Sequence, residues 1–310
     1  ELRMLSRVAE SIFWMARYME RTNGTLRLVR TSYISSQDEI HDFTWAPILQ
    51  HYSDRSDFPP GDSKQVIEHL LLDKENASSV INNITRAREN ARAVQDHITK
   101  EVWQCLNDFY HLIRNERIHA QILRGDAISA MDALIEKGWL YHGVLDTTLA
   151  RGNGFAFLSL GKFIERAILS ANNLSIKLAE LDYHLDRPLE IPALRYLLYS
   201  LSGYELYLKT HRGNLNADLV IQQILYHNHF PHSLLYCLVR IGRYLERLQP
   251  ESLPEVYKNL DFLTGKLMNH LKYTPVDIRK GKELGRFLDH IRSGLYEITE
   301  AMNKNYFGHF

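Results

Sequence analysis

Apolar residues recur three and four positions apart through almost every stretch of this chain between its glycine, proline and Asn/Asp breaks, and runs alternating at period two are nearly absent. In the first stretch Ile12, Met15, Met19 and Leu26 fall on one side of a helix, which marks that side for burial. The pattern predicts an all-α fold, a helical bundle of about ten or eleven helices. They are expected near residues 5–36, 62–73, 77–98, 100–118, 125–149, 154–184, 191–209, 215–228, 232–248, 253–271 and 276–302. The stretch "DFTWAPILQHYSDRSDFPPGD" at 42–62 carries two prolines in tandem and reads as a long loop. Core positions expected from the periodicity include Ile12, Met15, Met19, Phe157, Leu160, Ile164, Leu238, Ile241 and Leu245.

The same apolar pattern returns later in the chain. Residues 66–88, "VIEHLLLDKENASSVINNITRAR", align without a gap with 220–242, "VIQQILYHNHFPHSLLYCLVRIG", an offset of 154 residues (220 less 66). The match runs on to Glu101-Val102 over Glu255-Val256 and Leu106 over Leu260, with about nine identities in roughly forty positions, more than chance supplies. The N-terminal helices of the two stretches align separately, Glu20 with Glu165. This reads as an internal duplication: one domain over 1–310 holding two pseudo-symmetric halves at about 4–120 and 152–272, joined by the helix at 125–149 and followed by a C-terminal helix.

Three helices carry one charged pattern: a small residue, a basic one, an aromatic, an apolar one, then Glu-Arg. The copies are Ala16-Arg17-Tyr18-Met19-Glu20-Arg21, Gly161-Lys162-Phe163-Ile164-Glu165-Arg166 and Gly242-Arg243-Tyr244-Leu245-Glu246-Arg247. The basic residue stands three before Glu and four before the final Arg, so all three share a face. A solvated face is one reading. Burial is favoured by the apolar residue seven positions before each Glu (Phe13, Leu158, Val239) and by the small residue four before it, which lets another helix approach. A fourth basic segment, "RARENAR" at 86–92, sets Arg88 and Arg92 one turn apart with Glu89 beside them. Arginines gathered in a bundle must meet carboxylates or an anionic ligand, and the clusters together hold more basic than acidic groups. A structural ionic network and an anion pocket both fit.

Composition narrows the function classes. The chain has 310 residues, 45% apolar and 24% charged, with Lys plus Arg equal to Asp plus Glu at 37 each, so no global field draws it to nucleic acid or to an anionic membrane. Cys105 and Cys237 stand alone in apolar helical patterns, as in a reducing compartment, and no apolar run reaches a membrane span or has the order of a signal peptide. A cytoplasmic protein is expected. No Walker loop or dinucleotide glycine fingerprint occurs, so no cofactor is expected. His227, His229 and His232 cluster at a turn but lack the spacing of a helical zinc site, so no metal is expected either. Arg151-Gly152-Asn153-Gly154, leading into a helix, could offer amides to an anion or simply cap the helix.

At these charged motifs the chain resembles the bacterial alpha-E domain family, an alpha-helical domain with a Glu-Arg motif. The resemblance is carried by "MLSRVAESIFWMARYMER" (4–21), "TRARENARAVQDHITKEVWQCLN" (85–107) and "RGNGFAFLSLGKFIERA" (151–167), and extends over nearly the whole chain. At Pro231-His232-Ser233 the sequence departs from the family's usual Pro-Arg-Ser. The resemblance implies the company of a circularly permuted ATP-grasp protein and a place in ATP-dependent amide or peptide-bond formation. Two functions follow as expectations. In one, the protein is a helical binding and scaffolding component whose Arg/Glu node (Arg17, Glu20, Arg21, Arg88, Glu89, Arg92, Lys162, Glu165, Arg166, Arg243, Glu246 and Arg247) holds an acidic small molecule or peptide. In the other it is itself an enzyme, with Glu20 or Glu165 as general base.

Overall fold

The computed structural model describes residues 5–38, 43–53, 55, 58, 62–185, 190–212 and 215–308. Among them it contains fourteen α-helices: α1 (Ser6–Gln37), α2 (Ala46–Tyr52), α3 (Ser63–Leu71), α4 (Val80–Ala93), α5 (Lys100–Ile113), α6 (Glu116–Arg124), α7 (Ala127–Thr148), α8 (Asn153–Glu180), α9 (Glu190–Ser200), α10 (Tyr204–His211), α11 (Ala217–Tyr226), α12 (Leu234–Leu248), α13 (Pro254–Tyr273) and α14 (Gly281–Asn305). The fold is all-α, with no strand among the described residues.

Local chemistry explains where many of these helices start. Asp62, Ser79, Thr99, Asn115, Asp126, Asn216 and Ser233 each accept a hydrogen bond from a backbone N–H in the first turn of the helix that follows, filling a donor the helix leaves open. The same chemistry accounts for the helices the periodicity undercounts. Asn115 caps a new helix, so the stretch expected at 100–118 is two, α5 and α6. The stretch expected at 191–209 is also two. Ser202 takes a left-handed φ of 54° and ends α9, and Gly203 starts α10 where a Cβ would lie 2.6 Å from the Phe230 ring. The region expected as a loop at 42–62 contains α2, which starts on Ala46-Pro47 and buries Pro47, Ile48, Leu49 and Tyr52. Its tandem prolines lie outside the described residues.

The chain divides into two compact units, Trp14–Ala150 and Glu1–Phe13 with Arg151–Phe310, so α1 contributes residues to both. Within Trp14–Ala150, α5 packs on α4 and α7, and α6 lies against α3 and α7. Its core is built from Ile84 and Ala87 of α4, Val102, Leu106 and Phe109 of α5, and Met131 and Leu134 of α7. Within the other unit, α8 packs on α12 and α14, and α13 packs on both α12 and α14. All nine core positions expected from the periodicity are buried. No helix among the described residues is long and apolar enough to cross a membrane.

Element starts recur between the units. The helices α11, α12 and α13 begin 154 residues after α3, α4 and α5 (217 against 63, 234 against 80, 254 against 100). A short 3-10 turn follows α4 at Gln95 and α12 at Gln249, again 154 residues apart.

Candidate functional site

The three Glu-Arg helices have different surroundings. In α1, Arg17 is 2% exposed and Glu20 is 1% exposed, with Ile12, Met15 and Met19 buried on the other side. A helix buried on both faces belongs in the interior, and its charged cluster is no solvated surface. Arg21 is half-buried. In α8, Glu165 is buried, and Lys162 and Arg166 are half-buried. None of Arg17, Glu20, Arg21, Lys162, Glu165 and Arg166 is without a partner.

The third copy corrects the expectation of burial, because Arg243, Glu246 and Arg247 are exposed. Gly242 does not mark a close helix approach, since a Cβ there would meet nothing within 4 Å. The sequence holds a signal for this difference. α12 is strongly amphipathic, with Leu234, Leu238, Ile241, Leu245 and Leu248 buried on one stripe. In α8, by contrast, Ser159, Ser170, Asn172 and Asn173 are buried as well, small polar residues that can sit against neighbours all round the helix. Arg247 still has a structural task, donating to the carbonyl of Arg151 just before α8. The Arg151 guanidinium in turn lies 4.1 Å from the Phe155 ring centre, so this Arg-Gly-Asn-Gly turn is held at both ends. The aromatic positions of the second and third copies meet: Phe163 and Tyr244 stack with centroids 6.1 Å apart.

Glu20 has a partner that the sequence did not single out. Its Oε2 lies 3.3 Å from Nε2 of His142 on α7, and the Asn23 amide is 3.1 Å from the same nitrogen. Asn23 fits because Gly138 stands opposite it, where a Cβ would fall 1.8 Å from the Asn23 Oδ1. Beside His142, Tyr141 is fully enclosed. Burial, and then the nearby charges of Cys105 and Glu20, push its hydroxyl far above the ordinary tyrosine range and keep it neutral. A second tie between α1 and α7, Arg30 to both oxygens of Asp132, was also missed. Helical spacing relates neighbours three and four apart, and these pairs span 119 and 102 residues.

The "RARENAR" segment lies on α4 against α5. Arg88 is half-buried, its Nε donating to Asn107 Oδ1 at 2.9 Å and its Nη1 to Glu89 Oε1 at 3.1 Å. Its guanidinium sits 4.6 Å from the Tyr110 ring centre and 5.3 Å from that of Trp103. Arg114, at the end of α5, lies 5.1 Å from the same Tyr110 ring. Arg92 is 63% exposed and reaches the other Glu89 oxygen at 2.8 Å. Two arginines thus share one half-exposed carboxylate on an accessible face, with a third close by on Tyr110.

The histidines near residue 230 do other work. His227 Nδ1 accepts the backbone N–H of His229, and His232 packs on Phe230. No group of three or more His, Cys, Asp or Glu among the described residues could share a metal ion. Cys105 and Cys237 are both buried, and neither is in a disulfide.

Compared with known proteins, the chain matches a family model described as a predicted alpha-helical domain with a conserved ER motif, over residues 4–307. Neither the curated proteins nor the solved structures compared with it contain a match.

Proposed function

The chain belongs to the Alpha-E family, and from that membership and the contrast between its buried and exposed charges we propose that it is a helical binding and scaffolding component. The system it serves forms amide or peptide bonds with a circularly permuted ATP-grasp protein as partner. The observation that carries this reading is the face of α4 and α5, where Arg88, Arg92 and Arg114 gather around Glu89, Trp103 and Tyr110. Guanidinium forks with one carboxylate among them favour an incoming carboxylate, and the rings add apolar contact beside it. The ligand is an acidic small molecule or an acidic peptide segment. The buried clusters around Glu20 and Glu165 hold the helices in register. The family match spans both compact units, which supports treating the chain as one Alpha-E domain. The recurring offset of 154 residues in element starts supports an origin of its halves by duplication.

A labelled oligoglutamate peptide tests the reading. By fluorescence anisotropy, the double variant Arg88→Gln, Arg92→Gln should bind it about tenfold more weakly than the wild type. No binding to the wild type, or equal binding by a folded double variant, refutes the acidic-ligand face.

A second reading, an enzyme with Glu20 as general base, draws support from the Glu20–His142 pair. Against it stands the 1% exposure of Glu20, which leaves little room for a substrate at its oxygens. Loss of amide synthesis by the reconstituted pair on Glu20→Gln, at unchanged partner binding, would favour the enzyme. Full activity would favour the scaffold.

A further inference from the structure

A second concave site lies away from every Glu-Arg cluster, within the unit that contains α8–α14. It has a volume of about 510 Å³, the size of a small-molecule site. One wall is a face of α11, where Leu219, Gln222 and Tyr226 follow at three- and four-residue spacing and His227 stands at the helix end. The other walls are the end of α10, with His211, and the segment between α13 and α14, with Val276 and Ile278.

Several polar groups around the cavity are already used. The Thr210 hydroxyl donates to the Leu206 carbonyl at 2.8 Å, and the Thr274 hydroxyl pairs with Nδ1 of His270 at 2.9 Å. Gln223 is 2% exposed and gives its amide to the Gly203 carbonyl, so it takes no part in the open surface. Among the described residues, what stays open is the His211 ring, the Gln222 amide, the Tyr226 hydroxyl and Nε2 of His227. His227 Nδ1 accepts the His229 backbone N–H at 3.1 Å, so the neutral ring carries its proton on Nε2 and can only donate there. The other three groups can donate as well, and together they call for a group rich in acceptors.

The charge balance narrows that group to an anion. No Asp, Glu, Lys or Arg lines the cavity. The carboxylates next to lining residues are engaged elsewhere, Asp218 with Arg279 at 2.7 Å and Asp277 with Lys280 at 3.4 Å. α9, which packs on both α10 and α11, sends no titratable group to the lining. His211 is therefore faced by the Tyr207 ring, 4.7 Å away between centres, and by His227 and His229. Burial, and then the charges of His229 and His211, push the His227 pKa down, because imidazoles gathered without a carboxylate oppose one another's positive charge. A bound anion would supply the missing negative charge. A carboxylate suits the open donors because it only accepts, and Leu219, Val276 and Ile278 leave the remaining space to an apolar body.

We propose that this cavity binds a small carboxylic acid in its anionic form, the carboxylate accepting from His227 Nε2 and the His211 ring and a branched apolar body lying against Leu219, Val276 and Ile278. The site is independent of the arginine face on α4 and α5, and the Arg88→Gln, Arg92→Gln variant should bind such an acid like the wild type.

The probe is isovalerate, set against isovaleramide, which lacks the charge, isoamylamine, which reverses it, and inorganic phosphate, which lacks the apolar body. The readout is the chemical shift of the His211 and His227 ring signals in the intact protein. At about pH 6 isovalerate should give saturable shifts, the amide and phosphate should bind about tenfold more weakly or worse, and the amine should give none. Isovalerate should bind about three- to tenfold more weakly at about pH 8, where imidazoles have lost the proton that attracts it. His211→Phe, read at His227, should remove most of that pH dependence, and Leu219→Trp, which fills the cavity, should abolish binding. The proposal falls if isovalerate at about 10 mM leaves these signals unmoved, or if the amide, amine or phosphate binds as well as the acid. It falls equally if the affinity is the same at both pH values, if His211→Phe keeps the full pH dependence, or if binding survives Leu219→Trp.

Discussion

Glu20 and Glu246 occupy the same place in the same six-residue pattern, yet one is 1% exposed and the other lies at the surface. Removing a buried partner strands the charge or donor that faced it. Glu20→Ala should therefore cost about 3 to 5 kcal/mol in urea unfolding, whereas Glu246→Ala should leave the midpoint essentially unchanged. Equal effects would mean that the two copies share one environment.

Asp73 allows a test of sign. Burial raises its pKa, but the Glu75 backbone N–H, the His69 ring at 2.7 Å and the charges of His69 and Arg55 outweigh burial and leave it lowered. A carboxyl lowered in the folded state adds stability above its unfolded pKa and loses it as pH falls through the folded one. Asp73→Asn should thus be less stable than the wild type at neutral pH, with the gap closing as the medium is acidified through the carboxylate range. A gap that persists to about pH 2 would contradict this assignment.

At the scale of elements, two helical glycines make opposite forecasts. Gly138 in α7 faces Asn23 of α1 so closely that a Cβ would fall 1.8 Å from Oδ1. Gly138→Ala should displace Asn23 from His142 and cost about 1 to 3 kcal/mol. Gly242 in α12 has open space around it, and Gly242→Ala should stabilise by roughly 0.5 to 1 kcal/mol, because alanine loses less backbone freedom on entering a helix. Thermal unfolding of the two variants should move in opposite directions. The element scale is also where sequence was most legible. Eleven stretches were expected to be helical, and the three further helices come from breaks at Asn115 and Ser202-Gly203 and from the short α2. Helix periodicity does not see a break that leaves the apolar spacing in phase, and seven residues are too few to establish a period.

For the whole molecule, 37 basic and 37 acidic residues cancel, so any attraction for an acidic partner must come from a local group of charges. Binding of oligoglutamate should weaken as salt rises from low ionic strength to about 0.15 M, where the screening length is about 8 Å. The Arg88→Gln, Arg92→Gln variant should lose most of that salt dependence. Retention of the full dependence in the variant would assign the binding to another surface.

The helical class, most helix positions and the apolar stripes are legible in the linear order of residues, whereas the capped starts emerged with the structure. Class, positions and stripes depend on spacing within a few turns, which the order of residues already states. It also held the family resemblance, since long motifs survive in linear order. Tertiary structure decided which Glu-Arg copy is buried, and it joined Glu20 and Asn23 to His142 and Arg30 to Asp132. The six-residue pattern is the same in α1, α8 and α12, so by itself it is silent on burial, and only the residues around it, apolar on one stripe in α12 and small and polar round α8, carry a signal. Burial depends on what packs against the second face of each helix, and those neighbours come from segments far away in the chain.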